Sequence, residues 1–137
     1  MYEEGEKLLK ERYTKFKNIH FKGFVTEEEK RELLDRAWIL LNTSAREGLP
    51  MSFLEAGAHG LAIISNSDPD GYTSMFGKCV KEKKEFVSAI QEAVRDEWYK
   101  DQGRKAYEYM KSIHDTPNVI EKHEQIYRSI LDRNNRP

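Results

Sequence analysis

Residues 38–65 read WILLNTSAREGLPMSFLEAGAHGLAIIS, and two kinds of order alternate along them. WILLN, 38–42, is a short and almost wholly apolar run, which predicts a strand covered on both faces at the centre of a parallel sheet. LAIIS, 61–65, predicts a second buried strand. Between them, Pro50 suits the first turn of a helix, where a missing N–H costs nothing, and Gly60 after His59 suits the helix's end. Two acids stand out in this unit. Glu55 lies among Met51, Phe53, Leu54, Ala56, Gly57 and Ala58, while Glu47 precedes Gly48 and Pro50 and so stands ahead of the helix.

The same alternation extends outward. Leu8, Leu9, Tyr13 and Phe16 recur at helical spacing over 6–17. NIHFKGFV, 18–25, reads as a short strand with its exit at Gly23. Thr26 and Glu29 have the spacing of a capping box opening the helix EEEKRELLDRA. NSDPDGYTSMFG, 66–77, has the Pro, Gly, Asp and Asn density of a loop with room for one helical turn. KCV, 78–80, predicts a short edge strand. Helices close the chain: one from Glu82 with Phe86, Val87, Ile90, Ala93, Val94 and Trp98, one over 103–113, and one from Thr116 that ends in a polar tail, 132–137, expected to fray. Strand, helix, strand, helix with short connections predicts an α/β fold, a doubly wound parallel sheet of three to four strands with flanking helices.

The chain's 137 residues suit one domain. Its 23 basic and 24 acidic residues give a mixed surface with no basic field, which argues against nucleic acid as a partner. A single cysteine, Cys79, forms no internal disulfide and fits a reducing compartment. No apolar run is long enough to span a bilayer and no leader opens the chain, so the reading is a cytoplasmic protein, with a peripheral membrane contact left open. His20, His59, His114 and His123 fall on separate elements without ligand spacing, so no metal is expected.

Ligands of such sheets bind beyond the carboxyl ends of the strands. The loops there are Gly23 to Thr26, Thr43 to Pro50 and Ser65 to Tyr72. At the start of the central helix the amides of Leu49, Met51 and Ser52 would point forward unpaired, and the helix dipole adds roughly half a positive charge there. Such a terminus suits phosphate, and Gly48 clears side-chain bulk from the approach to the backbone. A carboxylate such as Glu55 on a packing face needs donors, and the vicinal hydroxyls of a ribose would supply them. The opposing reading is a solvent-facing Glu55 and a Glu47 that only favours the helix dipole.

EGLPMSFLEAGAHG, with seven residues between Glu47 and Glu55, closely resembles the signature of the retaining glycosyltransferases that use nucleotide-sugar donors and have the two-domain GT-B fold. NIHFKGFVTEEEKRELLDRAWILLNTS is similar to that family's lead-in, GLAIIS to the strand that follows, and IYRSIL to its last helix; the likeness covers roughly residues 6–131. The resemblance implies a Rossmann-like C-terminal donor-binding domain over 1–137, lacking its first strand and helix and the acceptor-binding N-terminal domain. It implies that Glu47, as the catalytic-site acid, meets the transferred sugar, that Glu55 binds the ribose, that Leu49, Met51 and Ser52 amides hold the pyrophosphate beside Gly48, and that backbone at Phe24 and Val25 meets the base. The donor, for example a UDP- or GDP-sugar, is substrate, and no cofactor is implied.

The chain departs from the pattern at Pro50, where many relatives have glycine, and at DPDGYTSMFG, which lacks the usual Gly-Gly and Glu. Arg46 and Lys22 do not match the family's diphosphate-binding cations. The sequence reading is therefore the donor half of a glycosyltransferase that is inactive alone. The alternatives are half of a nucleotide-sugar epimerase or a non-catalytic nucleotide-binding or docking module.

Overall fold

The computed structural model describes residues 2–44 and 48–134. Although the length suits one domain, the chain's contacts divide into two units, residues 1–33 and 34–137.

The first unit holds α1 (Tyr2–Tyr13), a turn, and an irregular segment leading to α2 (Glu27–Arg36), inside which the unit boundary falls. The capping box forms as its spacing predicts: the Glu29 carboxylate accepts from the Thr26 amide at 2.8 Å and the Thr26 hydroxyl accepts from the Glu29 amide at 3.3 Å. These bonds, the backbone one foremost, hold the Glu29 carboxyl below its ordinary range. The strand expected at 18–25 does not form. Ile19 donates back to Phe16 in a turn, Gly23 takes a left-handed φ of 63°, and Ile19, Phe21 and Phe24 stay exposed. An extended segment gains little without a ladder partner, and this one has none in the sheet.

The second unit is an α/β layer structure. Its sheet contains β1 (Ile39–Asn42), β2 (Ala62–Ser65) and β3 (Gly77–Cys79), parallel, in the order β1-β2-β3. Ile39 pairs with Ala62 and Asn42 with Ser65, so β1 and β2 end level. The central strand is thus β2, all four of whose residues are buried, and not WILLN. Strand β1 lies at an edge of the described sheet, with Trp38 and Leu41 about half exposed. An apolar run signals coverage of faces and carries no information on the number of ladder partners.

Alternation along β2 builds two cores. Ile63 packs with Phe53, Tyr72, Phe76 and Ala106, contributed by α3 (Met51–Ala58), α4 (Tyr72–Phe76) and α6 (Trp98–Ile113). Ile64 turns to the other face, against Val80 and Ala89 of the segment leading through α5 (Lys83–Asp96). Helices on both faces make the sheet doubly wound, as expected. A 3-10 turn at Pro69–Gly71 precedes α4, so the expected loop is more helical than its turn residues suggest. The last helix, α7 (Thr116–Asn134), continues into the first residues of the polar tail. No described helix is long and apolar enough to cross a membrane.

Helix α3 ends in a Schellman motif. Gly60 takes φ 71° just beyond the C-cap His59, its amide donates to Gly57 at 3.0 Å, and the Leu61 amide donates to Ala56 at 2.9 Å. The chain therefore reverses sharply into β2, which fixes the axis of α3 against the sheet.

Candidate functional site

The carboxyl ends of β1 and β2 face the loops that lead to α3 and α4. Pro50 is the N-cap of α3 rather than its first helical residue, with extended backbone at φ −71° and ψ 141°. Among the described residues no side chain caps this helix, and its first turn carries no acid. The first turn of α2 carries Glu27, Glu28 and Glu29, that of α5 carries Glu85, and that of α6 carries Asp101. The first turns of α4 and α7, like that of α3, carry no acid, and a helix terminus without one favours an external anion. Met51 and Ser52 are exposed, as is Gly48, and a Cβ built at Gly48 would meet nothing within 4 Å.

Phe53, Ala56 and Gly57 form the buried face of α3. At about 100° per residue, Glu55 points nearly opposite that face. Met51 and Ser52 precede it by four and three positions and share its side. Glu55 is thus partly buried, but it does not lie on the core-packing face that its apolar neighbours suggest. Gly48, Leu49, Met51, Ser52 and Glu55 are brought together over the first two turns of α3 and its approach. Phe24 and Val25 belong to the other unit, where Phe24 is fully exposed and Val25 partly buried. Glu47 and Arg46 lie outside the described residues.

A polar network that the sequence reading missed joins the strand ends. The Asn42 amide donates to the Ser65 hydroxyl over a long 3.5 Å, and the Ser44 backbone amide donates to Asn42 Oδ1 at 3.0 Å. Ser65 Oγ accepts from the Ser67 amide at 3.1 Å, and Thr73 Oγ1 donates to the Ser67 carbonyl at 2.8 Å. Ser65 and Thr73 are fully buried. Asn66 reaches across to the loop after β1, donating from Nδ2 to the Thr43 carbonyl at 3.3 Å. Next to it, Asp68 accepts from the Ser74 amide at 3.0 Å and the Ser74 hydroxyl at 2.5 Å. Desolvation pushes the Asp68 carboxyl up, but the Ser74 bonds, the Thr73 amide and the Lys81 charge outweigh it and leave the carboxyl below its ordinary range. The only sequence signal for this network was the polar residue closing each apolar strand, Asn42 and Ser65.

Among the described residues, no three His, Cys, Asp or Glu side chains gather as a metal-binding group. His59 instead pairs through Nδ1 with Asp35 at 2.6 Å, at the far end of α3 from the open amides. The described site contains an uncapped helix start, a carboxylate in the following turn and a hydroxyl-rich sheet end. That set suits a ligand with an anionic group and neighbouring hydroxyls.

A family model described as Glycosyl transferases group 1 matches residues 2–112. No curated protein and no solved structure matches the chain significantly.

Proposed function

The chain belongs to the group 1 glycosyltransferases, and from that membership we propose that it forms the donor-binding half of a retaining enzyme that takes a sugar from a nucleotide-sugar. The observation that carries this reading is the start of α3, which among the described residues has neither a side-chain cap nor an acid in its first turn. The amides of Leu49, Met51 and Ser52 bind the donor's diphosphate, with Gly48 leaving room for it. As the bond between sugar and diphosphate breaks, charge grows on the leaving phosphate oxygen. Dipoles already aimed at that position stabilise it without having to reorganise.

In this reading Glu55 accepts hydroxyl donors from the ribose, which suits a carboxylate on the side of α3 that Met51 and Ser52 share. Glu47 meets hydroxyls of the transferred sugar. The acceptor is held by an N-terminal domain of the parent enzyme. Transfer needs both halves, because half a cleft neither excludes water nor positions an acceptor. No metal takes part, since the helix terminus supplies the positive charge that faces the diphosphate.

Titration calorimetry with UDP and GDP tests the reading. One nucleotide binds the wild-type chain, and Glu55→Ala weakens it by roughly tenfold or more, as loss of a charge-assisted bond predicts. Failure of both nucleotides to bind, or unchanged affinity in Glu55→Ala, would overturn it. Sugar transfer by the isolated chain would refute the half-cleft part alone.

A further inference from the structure

We propose that Asn66 is a positioning residue that holds the backbone after β1 in register with β2, and so presets the approach to the α3 amides for a diphosphate. The functional consequence rests on the donor-binding reading above, whereas the positioning itself does not.

Asn66 sits between two residues whose placement is fixed from inside the fold. On one side Ser65 closes β2 with its hydroxyl buried. On the other, the Ser67 amide donates to that hydroxyl at 3.1 Å and the Ser67 carbonyl accepts from the buried Thr73 hydroxyl at 2.8 Å. The Asn66 carbonyl is held as well, accepting from Lys81 Nζ at 3.2 Å. With the backbone tied at three consecutive residues, the side chain leaves in a set direction, and Nδ2 spans 23 positions of sequence to the Thr43 carbonyl. That carbonyl belongs to the segment running from β1 toward Gly48 and the start of α3.

The arrangement has a cost. Among the described residues Asn66 Oδ1 is buried and accepts no hydrogen bond, and an orphaned buried acceptor is unfavourable. The compensating feature is the cross-loop bond from Nδ2, made at the end of the sheet where the ligand approaches. Thr73 acts one step further back, through Ser67, and aims Asn66.

The inference predicts a specific non-additivity. With UDP, GDP and inorganic pyrophosphate as probes, Asn66→Ala weakens each by about the same factor, on the order of tenfold, because what is lost is the diphosphate approach and not the base or ribose contacts. Thr73→Val, which keeps the shape and removes the hydroxyl, weakens them in the same direction, while Thr73→Ser restores wild-type affinity. The double variant is no weaker than Asn66→Ala alone. Equal affinity in wild type and Asn66→Ala, or additive losses in the double variant, would overturn the proposal. If the wild type binds none of the probes, the donor reading falls, and the positioning is judged by hydrogen exchange in the ligand-free chain. Faster exchange at Gly48, Leu49, Met51 and Ser52 in Asn66→Ala supports it; unchanged exchange there rejects it.

Discussion

Gly57 of α3 lies directly against Tyr72 of α4: a methyl group added at Gly57 would fall 2.2 Å from the Tyr72 hydroxyl oxygen and 3.0 Å from Met110 Cγ. The Tyr72 ring is itself confined by Phe53, Phe76 and Tyr109, with centroids 6.1, 4.7 and 6.1 Å away. Gly57→Ala therefore destabilises by about 1–3 kcal/mol through overpacking. Combining it with Tyr72→Phe, which deletes the clashing atom, recovers part of that loss in urea denaturation. A full and unrelieved loss in the double variant would show that the obstacle is elsewhere.

The Tyr72 hydroxyl is buried and has no hydrogen-bond partner among the described residues. Burial foremost, and Tyr109 beside it, push the phenol from 10.0 up to about 12. The folded protein keeps this proton to higher pH than the unfolded chain. The associated stability is complete below about pH 10 and is lost as pH rises through about 12. Tyr72→Phe flattens this alkaline limb, and at neutral pH it is as stable as wild type or more so, because an orphaned hydroxyl has been removed. Denaturation curves near pH 7 and about pH 11 separate the two effects.

Ser52 is exposed in the first turn of α3, a helix that lacks an acid there. Ser52→Asp stabilises the ligand-free chain by about 0.3–1 kcal/mol at low salt through the helix dipole. The same carboxylate repels a diphosphate, so affinity for UDP or GDP falls, and the loss shrinks as salt screens it. A more stable variant with unchanged nucleotide affinity would mean that the anion does not sit at this terminus.

Gly103 of α6 crosses the end of α3 so closely that its Cβ would lie 1.9 Å from the Gly60 carbonyl oxygen. Here the obstacle is backbone, held in the Schellman turn at φ 71°. Gly103→Ala costs more than Gly57→Ala, beyond the ~1–3 kcal/mol of ordinary overpacking, and lowers the melting temperature more. The reverse ranking would show that α6 can shift along α3 without penalty.

What was legible in the chain follows the range of the interaction that decides it. The Thr26–Glu29 capping box spans three residues and forms as read. The reversal at Gly60 and the buried run of β2 are likewise local. The strand expected at 18–25 and the central place given to WILLN both depend on a neighbouring strand, which no local pattern supplies. Glu55 is a subtler case. Its apolar neighbours suggest burial, yet the face of α3 that packs is set by Phe53, Ala56 and Gly57, the last accommodating Tyr72 from a different helix.

The sequence by itself determined that β2 is apolar and buried, that a helix follows β1 just beyond Pro50, and that two carboxylates stand eight positions apart around that start, because periodicity and helix termini are properties of neighbouring residues. Only the tertiary structure decided which strand is central, which way Glu55 faces, and that Asn66 bonds to Thr43 while Ser65 and Thr73 fix the residue beside it. Those outcomes depend on groups far apart in the chain that meet only once the sheet has formed, so no window of sequence contains both partners.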